Sequence, residues 1–315
     1  MTSTSAPSEA RLSAPIVAAR VRTLFARPER IEASAFLRRE IALRMQERLA
    51  LIKITPQCLL DAGCGDGADL LPLQQRYHAA QVLGTDASGT MLARARATQG
   101  TGFSALRRWL KQSLSTGARV NHGGSAALLC GDFAQLPLAV QSLDLIWSNL
   151  ALHWHPSPDR VFAEWRRVLR VDGLLMFSCF GPDTFKELRA AFATLDDTPH
   201  TMPFVDMHDF GDMLVEAGFA TPVMDMETLV VTYRDIDKML MEVRALGGNP
   251  LATRRRGLIG RDGWQRFRNQ LEQLRAADGT IALTYEVIYG HAFRPLPKTT
   301  ARGESIVRLD FPGKR

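Results

Sequence analysis

Between residues 58 and 180 the chain alternates short apolar runs with stretches of helical periodicity. No other feature of the sequence constrains the architecture as strongly. Cys58–Ala62, Gln81–Thr85, Ser125–Cys130, Ser142–Ser148 and Gly173–Phe180 read as strands, and Ala68–His78, Ser88–Ala97 and Pro158–Arg170 lie between them as helices. Strands joined by helical crossovers make βαβ units, so the pattern predicts an α/β fold built on a doubly wound parallel sheet. Upstream, Leu37, Ile41, Met45, Leu49 and Ile52 recur at spacings of four or three, the apolar stripe of an amphipathic helix that Pro56 ends. After Phe180 the rhythm loosens. Asp183–Ala193, Asp206–Ala217 (closed by Gly218) and Ile236–Leu246 read as helices, and Thr228–Tyr233 and Thr284–Tyr289 as strands.

A length of 315 residues suits one large domain with additions, or two domains. With 46% hydrophobic and 23% charged residues the chain has an ordinary globular composition, which excludes disordered, collagen-like and disulfide-scaffold classes. No apolar run approaches the roughly 18 residues of a membrane helix. Cys58, Cys64, Cys130 and Cys179 form no C-x-x-C pair, and three of them sit inside strand-like runs. They read as small core residues in a reducing compartment, which predicts a cytoplasmic protein. Residues 1–15 lack the apolar segment of a secretory signal and are expected to be disordered. Five Arg within residues 1–30 (11, 20, 22, 27 and 30) against Glu9 and Glu29 raise a transit peptide as an alternative, but they cluster late, where a helix begins.

Chemistry concentrates in Asp61-Ala-Gly63-Cys-Gly65-Asp-Gly67-Ala, where an apolar strand runs through alternate glycines into a helix. Glycines there permit a tight turn and close backbone approach to a ligand, and a helix N-terminus adds free N–H groups. Asp86 ends the next strand, where a carboxylate can accept hydrogen bonds from both hydroxyls of a ribose. Gly63, Gly65 and Ala68 formally satisfy a dinucleotide fingerprint, a weak signal taken alone. Asp61 argues against it, because its carboxylate would face a pyrophosphate. A cationic ligand without phosphates, such as S-adenosylmethionine with its sulfonium and ammonium, suits the loop better. Taken singly, Asp86 reads as a helix N-cap and Asp132 as a turn residue, the commoner roles of isolated acids. What joins them is that each acid falls at the C-terminal end of a strand, where open α/β sheets bind ligands.

The 61–67 segment resembles the first motif of the class I S-adenosylmethionine-dependent methyltransferases. Asp86 matches that family's ribose-binding acid, with Ala87 beside it. Gly131-Asp132-Phe133 is similar to the adenine-holding segment after the third strand, and Asp144–Asn149 to the fourth strand, whose end lines the methyl-transfer face. The resemblance implies S-adenosyl-L-methionine as cofactor, held by Asp61, Gly63, Gly65, Gly67, Asp86, Ala87, Asp132, Phe133 and Asn149. It also implies a Rossmann-like, mostly parallel seven-stranded sheet with N-terminal helices and a helical lid insertion.

A narrower likeness covers residues 16 to 293. Ser148–Trp154, Glu164-x-x-Arg167-Val-Leu169, Phe180–Arg189 and Arg244–Asn249 are similar to the malonyl-acyl-carrier-protein O-methyltransferases of biotin synthesis, the BioC family. A sister group includes the mitochondrial assembly factor of respiratory complex I, which resembles an arginine hydroxylase, and it shares His153-Trp154. The usual N-terminal A-x-x-Y-[DE] pattern is absent: Ala26-Arg-Pro-Glu-Arg30 carries no Tyr, so either another side chain covers the cofactor or the substrate differs. The implied division is a disordered 1–15, a helical 16–55, a cofactor-binding core over 56–180 with a surface insertion at 100–124, a lid and the remaining sheet over 181–294, and a mobile basic tail over 295–315.

In the implied reaction a malonyl carboxylate accepts a methyl group, so no base is required and no catalytic residue is assigned beyond positioning. The carboxylate needs a cationic or hydrogen-bonding clamp. Lys186 and Arg189 on the helix after the fifth strand are the candidates, with His153 and Trp154 as further substrate contacts. The His153/His155 pair lacks the Cys or carboxylate company of a metal site, so none is assigned. Arg254-Arg255-Arg256 reads either as a solvated face or as the docking surface of an acidic acyl carrier protein. With a net charge of +6 and no aromatic platform, nucleic acid is not expected.

Overall fold

The computed structural model describes residues 15–100 and 126–297. Nearly all of the expected disordered N-terminus (1–15), surface insertion (100–124) and basic tail (295–315) falls outside the described residues.

Seven strands form one sheet: β1 (Cys58–Ala62), β2 (Gln81–Asp86), β3 (Ala127–Cys130), β4 (Leu143–Asn149), β5 (Leu169–Phe180), β6 (Ala220–Tyr233) and β7 (Ile281–Phe293), in the order β3-β2-β1-β4-β5-β7-β6. The first five pair in parallel. β7 is inserted antiparallel between β5 and β6. The chain winds outward from β1 through β2 to β3, then returns to lay β4 on the other side of β1. Strand order reverses there, and the crevice above such a point is where doubly wound sheets bind ligands.

Neighbouring residues along the strands enter opposite cores. Leu59, Trp147 and Met176 pack into one cluster with Leu37, Ile41, Met45 and Leu49. Leu60, Ile146 and Phe177 pack into a second with Phe162, Trp165 and Phe210. A pleat of period two with both faces covered explains why these strands read as continuous apolar runs.

Helices flank the sheet: α1 (Ala18–Leu24), α2 (Pro28–Ile31), α3 (Ala35–Ala50), α4 (Leu70–Arg76), α5 (Gly89–Gly100), α6 (Pro158–Val168), α7 (Lys186–Ala193), α8 (Met207–Glu216), α9 (Ile236–Ala245) and α10 (Arg261–Gln273). The stripe on α3 is buried as its spacing predicts, at Leu37, Ile41, Met45 and Leu49. Its polar side is tied to β6, with Arg44 bonded to Glu227 and Arg48 to Asp225. Gly218 closes α8 at φ +82°, with its own N–H on Val215 O and that of Phe219 on Leu214 O.

Three expectations are corrected. β6 and β7 run to 14 and 13 residues, well beyond the segments read from β-propensity, because their mutual pairing from Tyr233↔Ile281 to Ala220↔Phe293 supplies the ladder. The basic stretch that continues from Arg254–Arg256 through Arg261, Arg266 and Arg268 reads from the sequence as a solvated face or docking surface; the structure forms α10 there, with Phe267 and Leu271, four residues apart, buried. Cys130 is exposed at the end of the edge strand β3, whereas Cys64 and Cys179 are buried and Cys58 half-buried, all four as free thiols.

Candidate active site

A cavity of about 690 Å³ opens above the C-terminal ends of β1, β2 and β4. Its floor is the glycine loop. Gly63, Gly65 and Gly67 take φ values of +80°, +54° and +79°. A β-carbon on Gly63 would stand 2.3 Å from that of Ala151, so the loop tolerates neither a side chain's backbone preference nor its volume. Asp86 fastens the loop to β2, as its carboxylate accepts the Gly65 N–H at 3.0 Å and the Ser88 N–H at 2.7 Å. A carboxylate has about four acceptor sites, so capacity for two hydroxyls remains.

The floor is crowded with carboxyl groups. Asp61, 1% exposed at the end of β1, has an Oδ2 atom with no hydrogen-bond partner among the described residues. Burial, with Asp69, Asp86 and Asp66 nearby, pushes its carboxyl well above the usual range. Burial also raises Asp69 and Asp86. An unpartnered buried carboxylate among other carboxylates costs free energy unless a cation or an N–H donor meets it, and it repels a pyrophosphate. The donor set therefore fits a ligand with a sulfonium and an ammonium beside a ribose, and it disfavours a dinucleotide.

Asp69, not anticipated from the sequence, ties the floor to the sheet: Trp147 Nε1 and Asn149 Nδ2 donate to its Oδ2 at 2.9 and 3.1 Å. Both N–H groups of the Asn149 side chain are engaged. The side chain also donates to Arg38 O on α3, and its Oδ1 accepts from Ser178 Oγ, so it locks α3 over the end of β4. The next residue, Leu150, sits at φ +52°, a left-handed turn that carries the chain over the cavity.

The roof comes from distant segments. Val21, Arg22 and Phe25 of the N-terminal region, Arg38 and Arg39 of α3, His153 and Trp154, Phe180 and Leu246 all line it. Phe25 meets Trp154 edge-on at 5.2 Å, and the Ser88 hydroxyl donates to Phe25 O. The aromatic cover missing from the 26–30 stretch is thus supplied one residue earlier. Gly247, at φ +128°, leaves room for the Trp154 ring, which a β-carbon would meet at 2.6 Å. His153 is 1% exposed, packed among Trp154, Phe180 and Phe204, and neither ring nitrogen has a partner among the described residues. Burial lowers its pKa to about 3, so the ring is neutral near pH 7 and keeps one N–H to give.

Of the residues expected at the site, Asp61, Gly63, Gly65, Gly67, Asp86, Ala87, Phe133, Asn149, His153 and Trp154 line this one cavity. Asp132 does not. Its exposed carboxylate accepts the Ala134 N–H at 2.8 Å and faces His155 at 3.6 Å, and that imidazole holds it below the usual range. Lys186 and Arg189 are also absent from the lining. The 181–185 turn is pinned to β7 by reciprocal hydrogen bonds between Thr184 and Glu286 and by the Asp183 N–H on the Glu286 carboxylate. Arg189 is spent on the carbonyls of Thr184 and Pro182, and Lys186 faces Asp183 at 3.3 Å. A lid carrying a cationic clamp on α7 is therefore not what the structure builds. Sequence reading missed the wall from α1 to α3, because no pattern in it announces which helix face meets a ligand.

Fold and site together define a class I S-adenosylmethionine-dependent methyltransferase. A family model described as a methyltransferase domain matches residues 60–177. The YcgJ protein from Bacillus subtilis shares the fold, at 14% identity and a TM-score of 0.53, covering 82% of this chain and 98% of that one. Two bacterial relatives bear the name malonyl-acyl-carrier-protein O-methyltransferase. The one from Gallionella capsiferriformans is 45% identical over 90% of this chain and 92% of its own. That from Laribacter hongkongensis is 48% identical over 83% and 84%. The chain belongs to this malonyl-acyl-carrier-protein O-methyltransferase family, and its cofactor is S-adenosylmethionine.

Proposed function

We propose that the protein methylates the free carboxyl of a malonyl thioester carried on acyl carrier protein, an early step of biotin biosynthesis. The observation that carries the reading is the polarity of the cavity: a floor of carboxylates for a cationic cofactor, and a roof with an unpartnered, buried, neutral imidazole facing the same space. When bound, the cofactor supplies an electrophilic methyl group on its sulfonium.

The chain's own part is binding and positioning. The glycine loop, Asp86 and Ala87 hold the nucleoside, Phe133 flanks the loop at Gly63, and Asp61 receives positive charge. Asp132 stands aside from the lining and contributes by shaping the 132–134 turn. His153 donates one N–H to one carboxylate oxygen and leaves the other free, while Trp154, Phe180 and Phe25 exclude water. A malonyl carboxylate is ionised at neutral pH, so no side chain has to remove a proton. Alignment of ionised nucleophile and electrophile in a dry cavity supplies several kcal/mol of rate advantage. In this reading residues 56–180 hold the cofactor, and 16–55 with 181–294 enclose the substrate. The soluble substrate, the free thiols and the lack, among the described residues, of a helix able to cross a membrane support a cytoplasmic location. Arg254, Arg255 and Arg256 are one surface on which a carrier could dock, although Arg254 bonds Leu251 O and Arg255 pairs with Asp196.

Mass spectrometry of malonylated carrier after incubation with the protein and S-adenosylmethionine tests the reading. One added methyl group per carrier is expected. An unchanged carrier, with cofactor binding intact, overturns it.

A further inference from the structure

The arginines around the cavity are not equally engaged. Arg94 pairs with Glu32 at 3.4 Å. Arg38 donates to Ile31 O at 3.0 Å and to Ser34 Oγ at 2.7 Å. Next to Arg39 in the chain, Glu40 is occupied by Arg44 at 2.8 Å. Arg22, at the end of α1, makes no ion pair or side-chain hydrogen bond among the described residues, and Arg39 spends only its Nε, on Ala35 O at 3.3 Å. Both are exposed, and both belong to residues that line the cavity. Glu32 and Glu40 are taken by other arginines, and no ion pair ties Arg22 or Arg39 to a carboxylate among the described residues.

We propose that Arg22 and Arg39 form the docking surface for the acidic carrier protein that presents the malonyl thioester. The proposal rests on the substrate reading given above. Two unpaired cations in water attract a large anionic surface at a distance and speed its encounter, but they are poor ligands for a single carboxylate that must react away from solvent. That inner role falls to His153, buried deeper in the same cavity. A carrier seated on the rim can thread its thioester arm past Arg22 and Arg39 towards His153. Arg254 and Arg256 lie outside the cavity lining, so a carrier held there is not delivered to the opening.

The test is fluorescence anisotropy of labelled acyl carrier protein, with and without the malonyl group, titrated with the full-length protein. The Arg22→Glu/Arg39→Glu variant is expected to bind about tenfold more weakly at low salt, and to lose most of the salt dependence that the wild type shows. The thermal melting curve is expected to match the wild type. Arg22→Gln/Arg39→Gln, which removes charge without reversing it, should show the same loss in smaller measure and provides the readout if the Glu pair fails to fold. Retained affinity within about twofold in the Gln pair and in any folded Glu pair overturns the proposal. So does a loss that appears instead in Arg254→Glu/Arg256→Glu. A wild type that binds the carrier yet adds no methyl to it refutes the substrate reading and leaves the docking surface standing. A wild type that does not bind the carrier refutes the docking surface.

Discussion

The floor of the cavity draws its polar groups from one short span, Asp61 to Ser88, and each is placed by a strand end or the turn after it. The roof draws on residues as far apart as Phe25, His153 and Leu246, brought together by side-chain packing of helices and loops. A floor made of backbone turns fails when a turn residue changes. A roof made of packed side chains yields by degrees. The floor is also where carboxyl groups are concentrated, whereas the roof is largely aromatic and carries the half-buried Arg38 and the exposed Arg22 and Arg39 as its cations.

The sharpest break in that contrast is expected at Gly63. Gly63→Val should abolish cofactor binding by calorimetry while circular dichroism stays near wild type, since the added β-carbon collides with Ala151 and φ +80° is hostile to a β-branched residue. Retained binding would mean that the floor is not the cradle described here. Asp86→Ala comes next. It removes the acceptor of the Gly65 and Ser88 N–H groups together with the ribose contacts, and each charge-assisted bond is worth about 1.5–3 kcal/mol, so the cofactor should bind at least tenfold more weakly.

On the roof, His153→Phe should leave cofactor affinity unchanged and lower kcat/KM for malonyl carrier by about tenfold, the worth of one hydrogen bond to a charged group, with His153→Gln recovering part of it. Equal loss in both variants would point to packing rather than to the N–H. The same residue sharpens the comparison through pH. His153 has a folded-state pKa of about 3 against an ordinary 6.5, so the unfolded chain binds the extra proton between those values. Stability should therefore be undiminished above pH 6.5 and fall on acidification below it, by at most about 1.4 kcal/mol per pH unit from this group. His153→Phe should flatten that part of a denaturation-versus-pH profile, and an unaltered profile would show that the ring is not buried neutral. Arg189→Ala should have the smallest effect on activity: methyl transfer near the wild-type rate, with a modest drop in melting temperature as the 181–185 turn loses its donor.

Most of the floor was legible in the sequence because its signals are local. The acids at 61 and 86 lie at strand ends and the glycines at 63, 65 and 67 follow one, and a strand end followed by a helix fixes where their groups point. The burial of α3 was legible for the same reason, from its spacing at Leu37, Ile41, Met45 and Leu49. Legibility stopped where position depends on distant partners. Lys186 and Arg189 had the right charge at the right point of the chain, but the bonds of Glu286 to the 181–185 turn aim them elsewhere. Asp132 had the right type and order, yet it faces solvent and His155.

The sequence by itself determined the α/β class, the place of the ligand loop and the preference for a cationic ligand over a dinucleotide. All of these follow from hydrophobic period, glycine conformation and the sign of a charge beside a turn, which are properties of a few consecutive residues. Only the tertiary structure decided that β7 enters reversed between β5 and β6, that Phe25 rather than a residue of the 26–30 stretch covers the cavity, and that His153 is buried beside it with neither ring nitrogen partnered among the described residues. It alone showed which arginines stay uncompensated. Those outcomes depend on which side chains compete for the same carboxylates, carbonyls and aromatic faces once the chain has closed, and no stretch of sequence holds both sides of that competition.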